Sequence, residues 1–238
     1  MEVVLVCLSL GLAGGLYGRG LVRFKGRVAR GRVVAFGVGL VTLGGALLLP
    51  LEGSFSLHML QHLLLVMAAA PLIVLGEPLL VCLWAFDRGK RHGVGRVVRR
   101  VLVLARPGIA WPLHVGALLV WHLPVLFEGT LRSAPVHALE HATFLGTGLL
   151  FWFALTRLSP HVAVGYLLLA AVTSSLLGIV IVFTPAPLYP SYPGAEDQVA
   201  AGILMWVGGG AVYLVAIVAV FVKWLSPQPH QNEAAIRA

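Results

Sequence analysis

Five of the nine histidines in this chain have the spacing of a metal-binding set: His58 and His62, the isolated His122, and His137 and His141. Residues at i and i+4 lie on one face of a helix, close enough to share one ligand, and the pattern occurs twice here. Neutral imidazole is a good ligand for transition metals. Met59 flanks the first pair and Met205 lies far downstream; each offers a thioether, a soft donor that suits Cu(I) better than the hard cations. The cysteines Cys7 and Cys82 have neither ligand spacing nor the pattern of a disulfide framework, so they read as small core residues, and a thiolate zinc site is disfavoured. Glu140, three residues after His137, is placed to orient an imidazole from behind.

These residues come together only if the elements carrying them do. With 59% hydrophobic and 11% charged residues, the chain reads as a polytopic helical membrane protein and not as a soluble domain. The apolar segments are continuous runs of about 20 residues, which excludes the alternating strands of a β-barrel. The fold expected is all-α: one bundle of seven transmembrane helices at about 3–18, 33–49, 57–86, 107–127, 136–156, 162–183 and 201–225. The third is the organising stretch, with both histidines at its start, and it should bend at Pro71 and again near Gly76-Glu77-Pro78. The first run lacks the positive flank of a cleavable signal peptide and is expected to remain as a helix. The basic segment around Arg88 to Arg106 fits a helix lying on the membrane surface.

Seven spans put alternate linkers on opposite sides. The linkers one-two, three-four and five-six, with Lys223 and Arg237, carry every Lys and Arg except Arg132, whereas Glu2, Glu52, Glu128, Glu196 and Asp197 fall on the other side. The positive-inside rule then places the N-terminus outside and the C-terminus in the cytoplasm. The net charge of +8 is explained by these orientation signals and by contact with anionic membrane lipids; no nucleic-acid-binding module is present.

This topology gathers His58, His62, His122, His137 and His141 in the outer leaflet. Ionisable groups are costly inside the hydrocarbon, so they should face the bundle interior and one another. A lone membrane histidine usually hydrogen-bonds a neighbouring helix, which is the reading for His114. Five at one depth, two pairs among them, point to a bound ion or cofactor. His92, His161 and His230 fall on the cytoplasmic side and read as solvated, Glu77 as a snorkelled or locally paired carboxylate, and Trp84, Trp121, Trp152, Trp206 and Trp224 mostly as interfacial anchors.

The strings HMLQHLLL with AAAPLIVLG (His58 to Gly76), WHLP (Trp121 to Pro124), HALEHATFLGTGLLFW (His137 to Trp152), LYPSY (Leu188 to Tyr192) and EDQVAAGILMW (Glu196 to Trp206) occur in that order. Together they resemble the CtaG assembly proteins of bacterial caa-type cytochrome c oxidases, over helices three to seven. The resemblance implies a non-enzymatic, multi-pass protein of the bacterial plasma membrane that helps to mature cytochrome c oxidase by handling copper for its binuclear centre. Its partners would be an oxidase subunit or other assembly factors. The five histidines and Met205 would be the motif residues; Glu77 departs from the pattern. Histidine and methionine alone do not name the metal, and two other classes stay open: a haem-binding electron-transfer protein, whose ligands would come from facing helices, and a copper or other metal-ion transporter.

Overall fold

The computed structural model describes residues 2–24 and 28–226. Lys25, Arg27 and the tail with His230 and Arg237 lie outside the described residues. The described chain is all-helical. Helix α1 is Glu2–Arg23, α2 Arg30–Leu48 and α3 Phe55–Leu63; a π-helical turn, Leu64–Ala69, leads into α4, Ala70–Leu75, and α5 is Pro78–Trp84. Then come α6 (Arg88–Val101), α7 (Pro107–Trp121), α8 (Pro124–Arg132), α9 (Ala134–Leu155) and α10 (Pro160–Phe183). Last are α11 (Ala195–Ile203), a second π-helical turn Leu204–Gly208, and α12, Gly209–Leu225.

Six stretches are long and apolar enough to cross a membrane, and α7 with α8 makes a seventh if that bent pair is one span. The expected fourth helix does not run straight from 107 to 127: it breaks after Trp121 with a 75° bend. Pro124 is the cause. It has no N–H to donate and it crowds the preceding residue, so Leu123 leaves the helix for an extended conformation (ψ 131). The expected third helix likewise stops at Leu75 and not at 86. Before Pro78, Glu77 takes a left-handed conformation (φ 52), uncommon for a residue other than glycine. Two contacts hold the break: Tyr17 donates to the Gly76 carbonyl at 2.8 Å, and Arg32 pairs with Glu77 at 2.7 Å. Of the two readings, snorkelled or locally paired, Glu77 takes the second.

Pro71 shapes the upper part of that span differently. The Ala70 N–H reaches back five residues to the Leu65 carbonyl, and Pro71 has no N–H, so the Val66 carbonyl loses both of its possible intrahelical donors. Trp152 supplies the replacement, its indole Nε1 donating to the Val66 oxygen at 2.8 Å. Trp152 is therefore buried structural glue and not an interfacial anchor, which corrects the expectation; Cys7 is likewise exposed on α1 and not a core residue.

The linkers collect at the two ends as the charge pattern implies. Arg23 pairs with Asp87 at 2.9 Å, which joins the basic linkers, and α6 has no buried residue, as a surface helix should. At the opposite end the segment between α10 and α11 is tied down by Gln198. Its side chain accepts from the Leu188 N–H at 2.7 Å and donates to the carbonyls of Ile181 and Thr184. Glu128, buried in α8, accepts from both the amide and the hydroxyl of Ser191 at 2.9 and 2.7 Å. The result is a strap, residues 184–194, fixed across the acidic end of the bundle.

Candidate metal centre

The site is built at the start of α3, and that start is held from two directions. Ser54 accepts from the Leu57 N–H, and Asp197 of α11 accepts from the N–H groups of Phe55 and Ser56 at 2.6 and 3.1 Å. A carboxylate on the open donors of a helix N-terminus fixes the position of the first turn. His58 follows, and His62 lies one turn on. Helix α9 presents His137, Glu140 and His141 to them, its own start set by Pro135 in the first turn.

The two helices bring four imidazoles around one carboxylate. The ligand atoms of His58, His137, Glu140 and His141 lie within 4.8 Å of one another. His62 Nε2 is 3.6 Å from Glu140 Oε2 and 3.1 Å from His58 Nε2. Glu140 and His58 are fully buried, and neither carboxylate oxygen has a conventional hydrogen bond among the described residues. Phe127 and Phe144, both fully buried, stand against the rings of His58 and His62.

Hydrogen bonding assigns the ring protons. The Tyr192 hydroxyl donates to the Glu52 carbonyl at 2.9 Å, so toward His58 Nδ1, at 3.4 Å, it can only accept. Burial pushes that hydroxyl up to about 12, so it keeps its proton at neutral pH. His58 therefore carries hydrogen on Nδ1 and turns the Nε2 lone pair inward, the arrangement in which an outer hydrogen bond orients a metal-binding imidazole. On the other edge of the cluster, His137 Nδ1 meets the Glu52 carboxylate at 3.3 Å.

His122 is at the same end but not in that cluster. It sits at the α7–α8 break, where Tyr189 donates to its carbonyl at 2.8 Å. Its Nδ1 donates to the Leu118 carbonyl at 2.6 Å, which turns Nε2 toward Met59 Sδ, 3.4 Å away. Met59 and His122 border a cavity of about 20 Å3 that His62 and Met205 also line, together with Met67. The expected set is thus one neighbourhood with two parts, His58, His62, His137 and His141 in one, Met59, His122 and Met205 in the other. His114 is apart from both, with Nε2 3.4 Å from the Tyr213 hydroxyl, as a helix-bridging histidine should be. His92 and His161 are exposed.

Three contributors exceed what the sequence suggested. Glu140 stands inside the ring of imidazoles and not behind one of them. Glu52 and Tyr192, from loops, close the outer edge. The π-helical turn explains why Met67 faces the cavity with Met59.

The model of the cytochrome c oxidase caa3 assembly factor family (Caa3_CtaG) matches residues 15–226. No curated protein and no solved structure matches the chain.

Proposed function

The chain belongs to the family of cytochrome c oxidase caa3 assembly factors, and from that premise we propose that it binds copper in the membrane and passes it to the oxidase. The ion is cargo, held by His58, His62, His137 and His141 around Glu140. The observation that supports this most is Glu140 itself. A buried carboxylate without hydrogen bonds is costly, and neutral imidazoles do not cancel its charge. A cation at the centre of the ring would satisfy the carboxylate and the inward lone pairs together. Copper as the cargo follows from the oxidase that the family assembles; nitrogen donors suit it.

The spacing of the rings favours a small ion over a haem. His58 has its ring centroid 4.5, 5.2 and 6.5 Å from those of His62, His137 and His141, and His141 is 5.6 and 4.1 Å from His62 and His137, which leaves no slot for a macrocycle between these pairs. The role is non-catalytic: the donors of the ring are arranged to hold an ion and release it. We place the acidic end outside the bacterial plasma membrane, facing an oxidase subunit or another assembly factor there. A reporter inserted near Gly194 should then read the outer side and one in the Arg88–Arg106 segment the cytoplasm; the reverse result would put the site on the wrong face for this role.

The functional test is deletion under copper limitation. Oxidase subunits should accumulate with haem but with most of their activity lost, and added copper should restore part of it. Activity equal to wild type in the deletion strain without added copper would overturn the assignment.

A further inference from the structure

We propose that the chain carries a second, softer metal site beside the histidine–glutamate ring: a cavity bordered by Met59, Met67, Met205 and His122 that takes one Cu(I), with His62 standing between the two sites. It rests on the copper reading above and extends it, because a single set of ligands does not account for where these side chains lie.

The pair His122 and Met59 carries the inference. The Leu118 carbonyl can only accept, so the hydrogen of the neutral His122 ring is on Nδ1, and Nε2 presents a lone pair. What it faces at 3.4 Å is the Met59 sulfur, which also has only lone pairs to offer. Two soft donors aimed at each other in a buried site have no attraction of their own; a cation between or beside them supplies it. The metal-binding histidine that donates its other ring N–H to a backbone carbonyl is the same arrangement. Both residues are buried, Met59 completely.

The cavity beside them has the matching size and chemistry. Its volume of about 20 Å3 exceeds the roughly 10–15 Å3 a single small occupant needs and leaves no room for a hydration shell. Of the chain's four methionines, the three other than Met1 line it. Two arrive there on irregular backbone: Met67 on the π-helical turn Leu64–Ala69 and Met205 on the π-helical turn Leu204–Gly208. Such turns are uncommon and are found often at functional sites. Thioether and imidazole without carboxylate select a soft monovalent ion. Glu140 is absent from this lining, so the ring with its oxygen donor and the cavity with its sulfurs differ in preference.

His62 links the two. Its Nε2 points at His58 and Glu140, and since the His58 Nε2 is a lone pair, the His62 hydrogen lies on Nε2. In that tautomer the lone pair is on Nδ1, on the other side of the ring, which has no hydrogen-bond partner among the described residues, while the residue lines the cavity. A neutral imidazole offers its one lone pair to one site at a time, through Nε2 to the ring or through Nδ1 to the cavity, so moving the His62 proton from one nitrogen to the other hands an ion between the sites.

The test is X-ray absorption on the full-length chain, produced with selenomethionine, purified in detergent and loaded with Cu(I) under reducing conditions or with Ag(I) as the probe. Two ions per chain are expected, with selenium in the coordination shell of one of them. Met59→Leu combined with Met67→Leu and Met205→Leu should reduce the stoichiometry from two to one and remove the selenium signal. Glu140→Gln combined with His141→Ala should keep it. Copper bound to nitrogen and oxygen alone in the labelled wild-type protein would overturn the second site and leave the proposed function standing. That measurement needs no substitution, so it does not depend on a variant folding. Selenium-bound metal with an unaltered signal in the Met59→Leu, Met67→Leu, Met205→Leu protein would also overturn it, whereas no metal of either kind would overturn both readings.

Discussion

If the ring holds copper as proposed, Glu140→Gln should lower the copper affinity of the purified protein by about a hundredfold or more, although it changes the side chain by little more than its charge. The carboxylate is fully buried amid four imidazoles, with His62 and His58 at 3.6 and 3.8 Å. A cation seated there depends on that negative charge, because leaving one member of a buried ion pair without its partner costs about 3–5 kcal/mol. Each ~1.4 kcal/mol is a factor of ten in affinity. The apo protein should respond the other way: a neutral amide removes an unsatisfied buried charge, so its thermal midpoint should be equal to or above wild type. Replacing His62 and His141 together with Ala removes one member of each i, i+4 pair and should abolish binding at the ring, while His92→Ala and His161→Ala, on exposed rings, should leave it unchanged. Competition against a Cu(I) chelator of known affinity measures all of these. Unchanged affinity in Glu140→Gln would mean that the ring does not hold the ion.

Much of this site could be read in the sequence because membrane helices turn periodicity and charge into depth. The two i, i+4 pairs put His58 with His62 and His137 with His141 on single faces, and the one-sided basic residues assign both pairs to one end. The same charge pattern assigned His122 to that end too, and the WHLP and LYPSY strings then added the resemblance. What did not follow were features that depend on how backbone departs from a regular helix. Eight residues after Met59, a regular helix would turn Met67 about 80° off its face; the wider π turn removes part of that rotation, and nothing in the pattern LLLVMAAAP signals it except Pro71. Trp152 near a helix end fits an interfacial anchor by position alone; only the orphaned Val66 carbonyl, a consequence of the same proline 81 residues earlier, gives it a buried role. Glu140 was visible as an orienting group, but whether a carboxylate stands behind a histidine or among several depends on how α3 packs against α9.

Gly202→Ala destabilises the protein although alanine is the better helix former, and the reason is the approach of α10 to α11. A Cβ on Gly202 would lie 2.6 Å from Val182 Cγ2 and 2.9 Å from both the Gly178 oxygen and the Val182 nitrogen; one on Gly178 would lie 2.8 Å from the Trp206 nitrogen. The valine methyl can rotate away, but the backbone atoms cannot, so the helices must separate. Small residues at a helix interface permit such close crossings in membrane bundles. Overpacking of this kind costs about 1–3 kcal/mol. Gly210, farther along the same span, has open space: a Cβ there would have Ser175 Oγ as its nearest neighbour, 4.0 Å away. There the helix preference acts alone, and Gly210→Ala should stabilise by roughly 0.5–1 kcal/mol. The two substitutions are chemically identical and opposite in expected sign. The effect of the first should also reach the metal, since α11 carries Asp197, which caps α3, and leads into the turn that carries Met205. Thermal unfolding in detergent with metal content measured beside it checks both; a Gly202→Ala protein as stable and as well loaded as Gly210→Ala would show that the helices do not meet there.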